Sequence, residues 1–193
     1  MRGARWLLLY GRSRQLPASL AVLLLGAPAV WALVLLGGGS ADPRPATLVL
    51  AAGATVFSVG LGGQDRALDR SAAIRWLPRR AAHVLLCGAL VGAVLLAVTV
   101  LSGERPATGL VVRNSAGLTG LVALGAACWG ARSAWLLPFG WLGLSLVVPP
   151  SGEVVTRVLT WMLLPPGSAA GTWTAVVLAV AGTAAYAVAG PRR

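Results

Sequence analysis

Long apolar stretches separated by short charged segments are the feature that most constrains this chain. Six stretches are long enough, or nearly so, to cross the roughly 30 Å hydrocarbon core of a bilayer as helices, which takes about 20 residues. They lie at 16–36, 47–63, 81–101, 110–131, 134–148 and 171–190, and the fifth is short and contains Pro138. The composition agrees, since 57% of the residues are hydrophobic and 11% are charged. We therefore predict one all-α transmembrane domain over residues 1–193, with six spans.

The distribution of arginine predicts the orientation of these spans. All 16 basic residues are arginines, and with the N-terminus inside, 12 of them fall on the cytoplasmic side and four outside. Both termini are then cytoplasmic, which requires an even number of crossings. The absence of lysine excludes a P-loop, which needs a lysine on the nucleotide phosphates. Nucleic acid is not an expected partner despite the net charge of +11, because so apolar a chain offers no soluble basic face.

A cleavable secretory signal is the alternative reading of the first apolar stretch. The basic residues before it and the small residues GGGSAD at 37–42 after it fit such a signal. However, the stretch 16–36 is longer than a usual signal core, and its removal would leave five spans and place the arginine-rich segment 64–80 outside. We therefore treat 16–36 as the first span.

The predicted spans contain few groups that support catalysis. All five acidic residues lie between the spans, and the single histidine, His83, lies near the start of the third span. Cys87 and Cys128 lie in different spans, so neither a disulfide framework nor a metal site is expected. Ion-coupled carriers usually bind the coupling ion at an ionisable group inside the membrane. We therefore predict no catalytic residue, no metal site and no cofactor in this chain, and an external energy source for any transport.

One acidic pattern supports an alternative function. Asp65 and Asp69 form D-x-x-x-D at the cytoplasmic end of the second span, as in intramembrane prenyltransferases that hold magnesium diphosphate. Those enzymes also need a second acidic motif and an asparagine one turn earlier, where this chain has Leu61. A membrane enzyme acting on lipid or prenyl diphosphate therefore stays an alternative. A non-catalytic membrane scaffold or accessory subunit is another.

The segment 64–80, QDRALDRSAAIRWLPRR, concentrates charge between the second and third spans. Cytoplasmic arginines fix topology and attract anionic lipid, which accounts for the basic residues. Aspartates and apolar side chains among them are more typical of a protein-docking surface with an apolar centre and a charged rim. We predict a short surface helix that docks a partner through Asp69, Arg70, Ile74, Arg75 and Trp76.

Two further segments are too short or too polar to cross the membrane. Residues 1–15 place four arginines around Trp6 and Tyr10, which is typical of a helix lying in the membrane interface. Residues 154–164 lie between proline pairs and are too apolar for a free loop. We predict that this second segment enters the outer leaflet as a re-entrant or interfacial helix.

Small residues recur at the spacing that lets helices approach closely in lipid. Gly88 and Gly92 form G-x-x-x-G in the third span, and Gly171, Ala175 and Ala179 follow one another at every fourth position of the sixth. We predict that they pack helices within the bundle, with a dimer interface as the alternative.

Arg113 and Asn114 form a polar pair at or just inside the outer end of the fourth span. We take them as candidate residues of a substrate path or of a contact with a partner subunit. Snorkelling of the arginine and capping of the helix are the more ordinary roles for such a pair.

This arrangement resembles the membrane subunit of a type-2 ABC exporter. The shared features are an interfacial N-terminal helix, six spans, a cytoplasmic helix between spans two and three, and a re-entrant segment between spans five and six. The strings at 68–86 and 111–138 are similar in character to permease-like proteins of actinobacteria. The resemblance implies that the segment 64–80 docks on a separate ATPase subunit, which holds ATP and magnesium. It also implies that two permease subunits, identical or different, face each other across the path.

Overall fold

The computed structural model describes residues 42–61, 76–101, 103, 107–149 and 151–191, with five helical residues between 21 and 32. Six α-helices lie in the described ranges. They are α1 (Pro43–Val56), α2 (Trp76–Leu101), α3 (Thr108–Trp129), α4 (Leu136–Val147), α5 (Val154–Leu159) and α6 (Ala169–Ala189). Short 3-10 turns, Phe57–Leu61, Ala131–Ser133 and Trp161–Leu163, follow α1, α3 and α5. The prediction of an all-helical fold is confirmed for these residues.

Three of the helices are long and apolar enough to cross a membrane, namely α2, α3 and α6. Their bounds lie within five residues of the predicted spans 81–101, 110–131 and 171–190. Long uninterrupted apolar runs explain this agreement, because a helix satisfies its backbone polar groups internally. The protein therefore has the character of a membrane protein.

The other predicted spans differ from what the structure describes. α1 has 14 residues and begins at Pro43 rather than at residue 47, because the Asp42 carboxylate caps it by accepting from the Arg44 N–H at 2.9 Å. α4 has 12 residues and is about 18 Å long, which is shorter than the hydrocarbon core. The first predicted span and the N-terminal interfacial helix lie largely outside the described residues.

The long helices pack around α3, almost all of whose residues from Leu110 to Ala127 are buried. The hydroxyl of Tyr186 on α6 donates to the carbonyl oxygen of Leu61, just after α1, at 2.8 Å. Helices α1, α3 and α6 therefore run in the same direction, while α2 runs against them. We call the end at which α1, α3 and α6 begin the upper end, which the arginine distribution predicts to be outside, and the opposite end the lower end.

The closest helix contact joins α3 and α6. A Cβ placed on Gly182 would overlap the backbone of Gly120, and one placed on Gly120 would overlap the backbone at Leu178 and Ala179. Because both helices lack a side chain here, their backbones touch directly. This contact fixes α6 beside the central helix.

Candidate functional site

A buried polar cluster lies at the upper end of the bundle, built on Arg113 of α3. Its side chain is 6% exposed, and its guanidinium donates to backbone carbonyl oxygens of the segment that precedes α6. Nη2 lies 2.7 Å from the Leu164 oxygen, and Nη1 lies 2.9 Å from the Pro165 oxygen. A third, longer bond of 3.5 Å joins Nη2 to the Met162 oxygen. The planar fork of arginine thus holds three carbonyls of one turn of chain.

Asn114 connects this guanidinium to α1. Its Oδ1 accepts from Arg113 Nε at 3.0 Å, and its Nδ2 donates to the Met162 oxygen at 2.8 Å and to Thr47 Oγ1 at 3.1 Å. The Thr47 hydroxyl in turn donates to the Pro43 oxygen at 2.8 Å. Asn114 and Thr47 are both 0% exposed. The cluster therefore ties α1, α3 and the segment before α6 together at one level.

Glycines make room for the segment that Arg113 holds. Gly117 faces the indole ring of Trp161, which a Cβ there would overlap. A Cβ on Gly171 would lie 2.8 Å from Arg113 Nη1 and 3.2 Å from the Trp161 oxygen. Gly117 is nine residues into α3, so the tip of the buried Trp161 ring lies roughly 13 Å below the upper end, whereas the Trp161 backbone lies beside Gly171 near the start of α6.

The segment from Leu159 to Pro166 packs against α4 and α3 and ends beside the start of α3 at the upper end. Leu159 is held by Trp141 Nε1 at 2.9 Å and by Ser145 Oγ at 2.7 Å, both donating to its carbonyl oxygen from α4. After Trp161 the chain continues to Pro166, which packs beside Gly109 at the start of α3. Side chains of α3 and α4 thus satisfy backbone carbonyls that the short helix leaves without partners.

The arrangement of the cluster favours a structural role in this conformation. The acceptors around Arg113 are neutral carbonyl and amide oxygens, whose dipoles stabilise the buried charge. The N–H groups of the guanidinium donate to oxygens of the chain itself in this conformation. We call this cluster the carbonyl clamp, defined by Thr47, Arg113 and Asn114.

The structure describes one of the predicted partner-docking residues. Trp76 is the first residue of α2 and is half-buried, and its indole N–H has no hydrogen-bond partner among the described residues. Asp69, Arg70, Ile74 and Arg75 lie outside the described residues.

The predicted helix-packing residues lie on two different contacts. Gly88 and Gly92 of α2 face Thr119 and Ser115 of α3, with added Cβ atoms 2.8 Å and 3.1 Å from the two hydroxyl oxygens. On α6, Gly171 and Ala175 are buried, whereas Ala179 is partly exposed and lines a groove. These residues pack helices within one chain in this structure.

Residues with metal-binding or redox chemistry do not converge in the described part of the chain. No group of three or more histidine, cysteine or acidic residues lies close enough there to hold a metal ion. His83 Nε2 and Cys87 Sγ lie 3.8 Å apart, one helical turn from each other on α2. Cys128 is exposed, and Asp65 and Asp69 lie outside the described residues.

Sequence reasoning identified Arg113 and Asn114 but missed the residues that complete the clamp. Thr47 belongs to the clamp, Gly117 and Trp161 pack beside it, and Gly120 and Gly182 form the closest helix contact. A G-x-x-G pattern, Gly117 and Gly120, was present in α3 as a signal for close packing.

The fold and its site were compared with known proteins. We found no match between this chain and any protein-family model, curated protein or solved structure.

Proposed function

We propose that the chain is the membrane subunit of an ATP-driven exporter of the ABC type, working with a separate ATPase. The observation that carries this proposal is the segment Leu159 to Pro166, which packs inside the bundle just before α6 and is held near the upper end by the carbonyl clamp. The resembled family has a re-entrant segment at this position, before its last span. Six spans with both termini in the cytoplasm are part of the same proposal.

The distribution of charge supports an external energy source. All five acids of the sequence lie outside the predicted spans, and Arg113 is held by neutral oxygens rather than exposed to a coupling ion. A carrier without an intramembrane carboxylate needs another means of switching between inward and outward packings. ATP binding by a partner subunit would drive this switch.

α2 offers a mechanical connection between such a partner and the bundle. It runs without interruption from Trp76 to Leu101, so a displacement of Trp76 is transmitted along a rigid helix. Its contact with α3 is made of small residues, Gly88 and Gly92 against Thr119 and Ser115. Where the side chains at a helix contact are small, the two helices can shift along each other without separating large side chains that pack between them.

The experiment is purification of the tagged chain from its native host in mild detergent, with mass spectrometry and an ATPase assay of the eluate. We expect a stoichiometric nucleotide-binding subunit, which a Trp76→Ala variant loses while still inserting into the membrane. Trp173→Ala is the matched control, because Trp173 is 69% exposed near the start of α6, at the opposite end from Trp76. An intact preparation without an ATPase would overturn the proposal.

Two further outcomes identify the alternatives. Magnesium-dependent turnover of a prenyl diphosphate, lost in Asp69→Asn, would assign the chain to the membrane enzymes. A chain that tolerates Trp76→Ala and Asp69→Asn without loss of any associated activity would be a scaffold or accessory subunit.

A further inference from the structure

An open groove of about 400 Å³ runs along the side of the bundle between α2, α3 and α6. Val84 to Leu96 of α2 form one wall, and Ala179 and Thr183 of α6 lie on the other side. Its floor is the contact of Gly88 and Gly92 with α3. The small residues that let the helices approach leave no side chain to fill this volume.

The floor of the groove is apolar although it contains hydroxyl groups. Ser115 Oγ donates to the Val112 oxygen at 3.1 Å, and Thr119 Oγ1 donates to the Ser115 oxygen at 2.7 Å, both within α3. These hydroxyl hydrogens are therefore directed to the helix backbone and not into the groove. The remaining lining is alanine, valine, leucine and glycine, with Thr183 at one end. The occupant that fits best along this length is a hydrocarbon.

The length of the groove corresponds to one membrane leaflet. Val84 and Leu96 are 12 residues apart on α2, which is roughly 18 Å along the helix. Half of the hydrocarbon core is about 15 Å. The groove starts three residues after the beginning of the predicted span 81–101 and ends five residues before its end, so its lower half lies beside the lower leaflet and its upper half passes the bilayer centre.

A guanidinium closes the lower end of the groove. Arg80 lies one turn before Val84 on α2, and its Nη1 reaches the carbonyl oxygen of Ala187, one turn beyond Thr183 on α6, at 3.5 Å. The guanidinium also packs against Gly190, where an added Cβ would lie 2.9 Å from Nη1. A positive charge thus lies at the end of the groove that the arginine distribution predicts to face the cytoplasm, where anionic lipids concentrate.

We propose that the groove binds an anionic glycerophospholipid, with one acyl chain along α2 and the phosphate group at Arg80. The apolar wall matches the acyl chain of such a lipid, and the guanidinium at the lower end of the groove matches its phosphate. This inference does not depend on the proposed transport function.

Two other occupants fit the groove less well. A second copy of the chain, related by a two-fold axis along the bilayer normal, would place its own Arg80 at the same level, so that like charges would approach each other. The segment 16–36 is apolar, but Val22 and Leu25 are 55% and 78% exposed and Gly26 has no neighbour within 4 Å. These described residues of the segment are therefore not seated in the groove.

The test is native mass spectrometry of the full-length protein in a neutral detergent, titrated with dioleoyl phosphatidylglycerol or dioleoyl phosphatidylcholine. We expect one phosphatidylglycerol molecule to bind tightly and phosphatidylcholine to bind more weakly. Arg80→Gln should weaken phosphatidylglycerol binding about fivefold and remove most of the preference. Arg132→Gln is the matched control, because Arg132 is exposed at the same end but does not line the groove.

A second variant tests the apolar part of the site. Ala93→Trp fills the groove from an exposed position and should weaken both lipids by roughly tenfold or more. Ala97→Trp, on an exposed position of α2 outside the groove, should leave binding unchanged. If Ala93→Trp fails to fold, Arg80→Gln decides the outcome alone.

Four results would overturn the proposal. Equal binding of the two lipids would remove the role of Arg80, and unchanged phosphatidylglycerol binding in Arg80→Gln would do the same. A dimer that dissociates in Ala93→Trp but is insensitive to lipid would identify a second copy as the occupant. A disulfide between Ala89→Cys and a cysteine placed at Leu25 would identify the segment 16–36.

Discussion

Arg113 Nη2 of the central helix lies 2.7 Å from the carbonyl oxygen of Leu164, a residue 51 positions later in the chain. This bond joins the upper end of α3 to a segment that would otherwise carry buried, unsatisfied carbonyls. An unpaired buried acceptor costs roughly 1–3 kcal/mol. The clamp therefore determines whether the segment stays inside the bundle.

Replacing Arg113 with alanine should destabilise the protein by roughly 1–3 kcal/mol, because it removes the donor to the Leu164 oxygen, whereas the Pro165 oxygen keeps the Ser168 N–H as a donor. Arg113→Lys should lose less stability than Arg113→Ala, because the lysine ammonium keeps the positive charge although it lacks the planar fork of the guanidinium. The measurement is the free energy of unfolding in mixed detergent micelles. Arg157→Ala, at an exposed position on α5, is the control, and equal stabilities of the Arg113 and Arg157 variants would contradict the clamp.

Thr47 offers a smaller and more specific test of the same cluster. Thr47→Val keeps the shape but removes the oxygen that accepts from Asn114 Nδ2, so we expect a loss of about 1 kcal/mol, and Thr47→Ser should retain most of the stability. Thr55→Val is the control, because the Thr55 hydroxyl donates to the Ala52 oxygen of its own helix. A Thr47→Val protein as stable as Thr55→Val would show that the Asn114 contact contributes little.

Hydropathy alone predicted α2, α3 and α6, because a run of about 20 apolar residues has few alternatives to a membrane-crossing helix. It predicted α1 and α4 less well. α1 starts at Pro43 because Asp42 caps it, a local signal that lies outside the apolar run. The 12-residue α4 is short because its apolar stretch is bounded by a 3-10 turn and by the prolines that follow.

The clamp shows why the site was harder to predict than the spans. Arg113 and Asn114 stood out as polar residues in an apolar stretch, so their positions were predicted. Their acceptors are backbone carbonyls 48 to 52 residues away, and a carbonyl is present at every residue. Thr47, 67 residues from Asn114, has no feature in the sequence that separates it from other threonines.

Gly182 should tolerate no side chain. Gly182→Ala places a methyl group against the backbone of Gly120, so α3 and α6 must separate, and we expect a loss of roughly 1–3 kcal/mol or more. Gly143→Ala is the control, because that glycine has nothing within 4 Å of an added Cβ and alanine favours a helix by up to about 1 kcal/mol. Thermal unfolding in detergent compares the two, and a Gly182→Ala protein at least as stable as Gly143→Ala would contradict the direct contact of the backbones.

The orientation of the bundle can be tested with single cysteines in a background carrying Cys87→Ala and Cys128→Ala. Gly152 lies between α4 and α5, in the segment that the predicted topology places outside, and Arg132 lies in the turn after α3 at the lower end; both are exposed. Because 12 of the 16 arginines fall on the lower side in the predicted topology, we expect a membrane-impermeant maleimide to label Gly152→Cys in intact cells. Arg132→Cys should react only after the membrane is permeabilised. The reverse pattern would place the clamp at the cytoplasmic side, and Arg80 at the lower end of the groove would then face the outside.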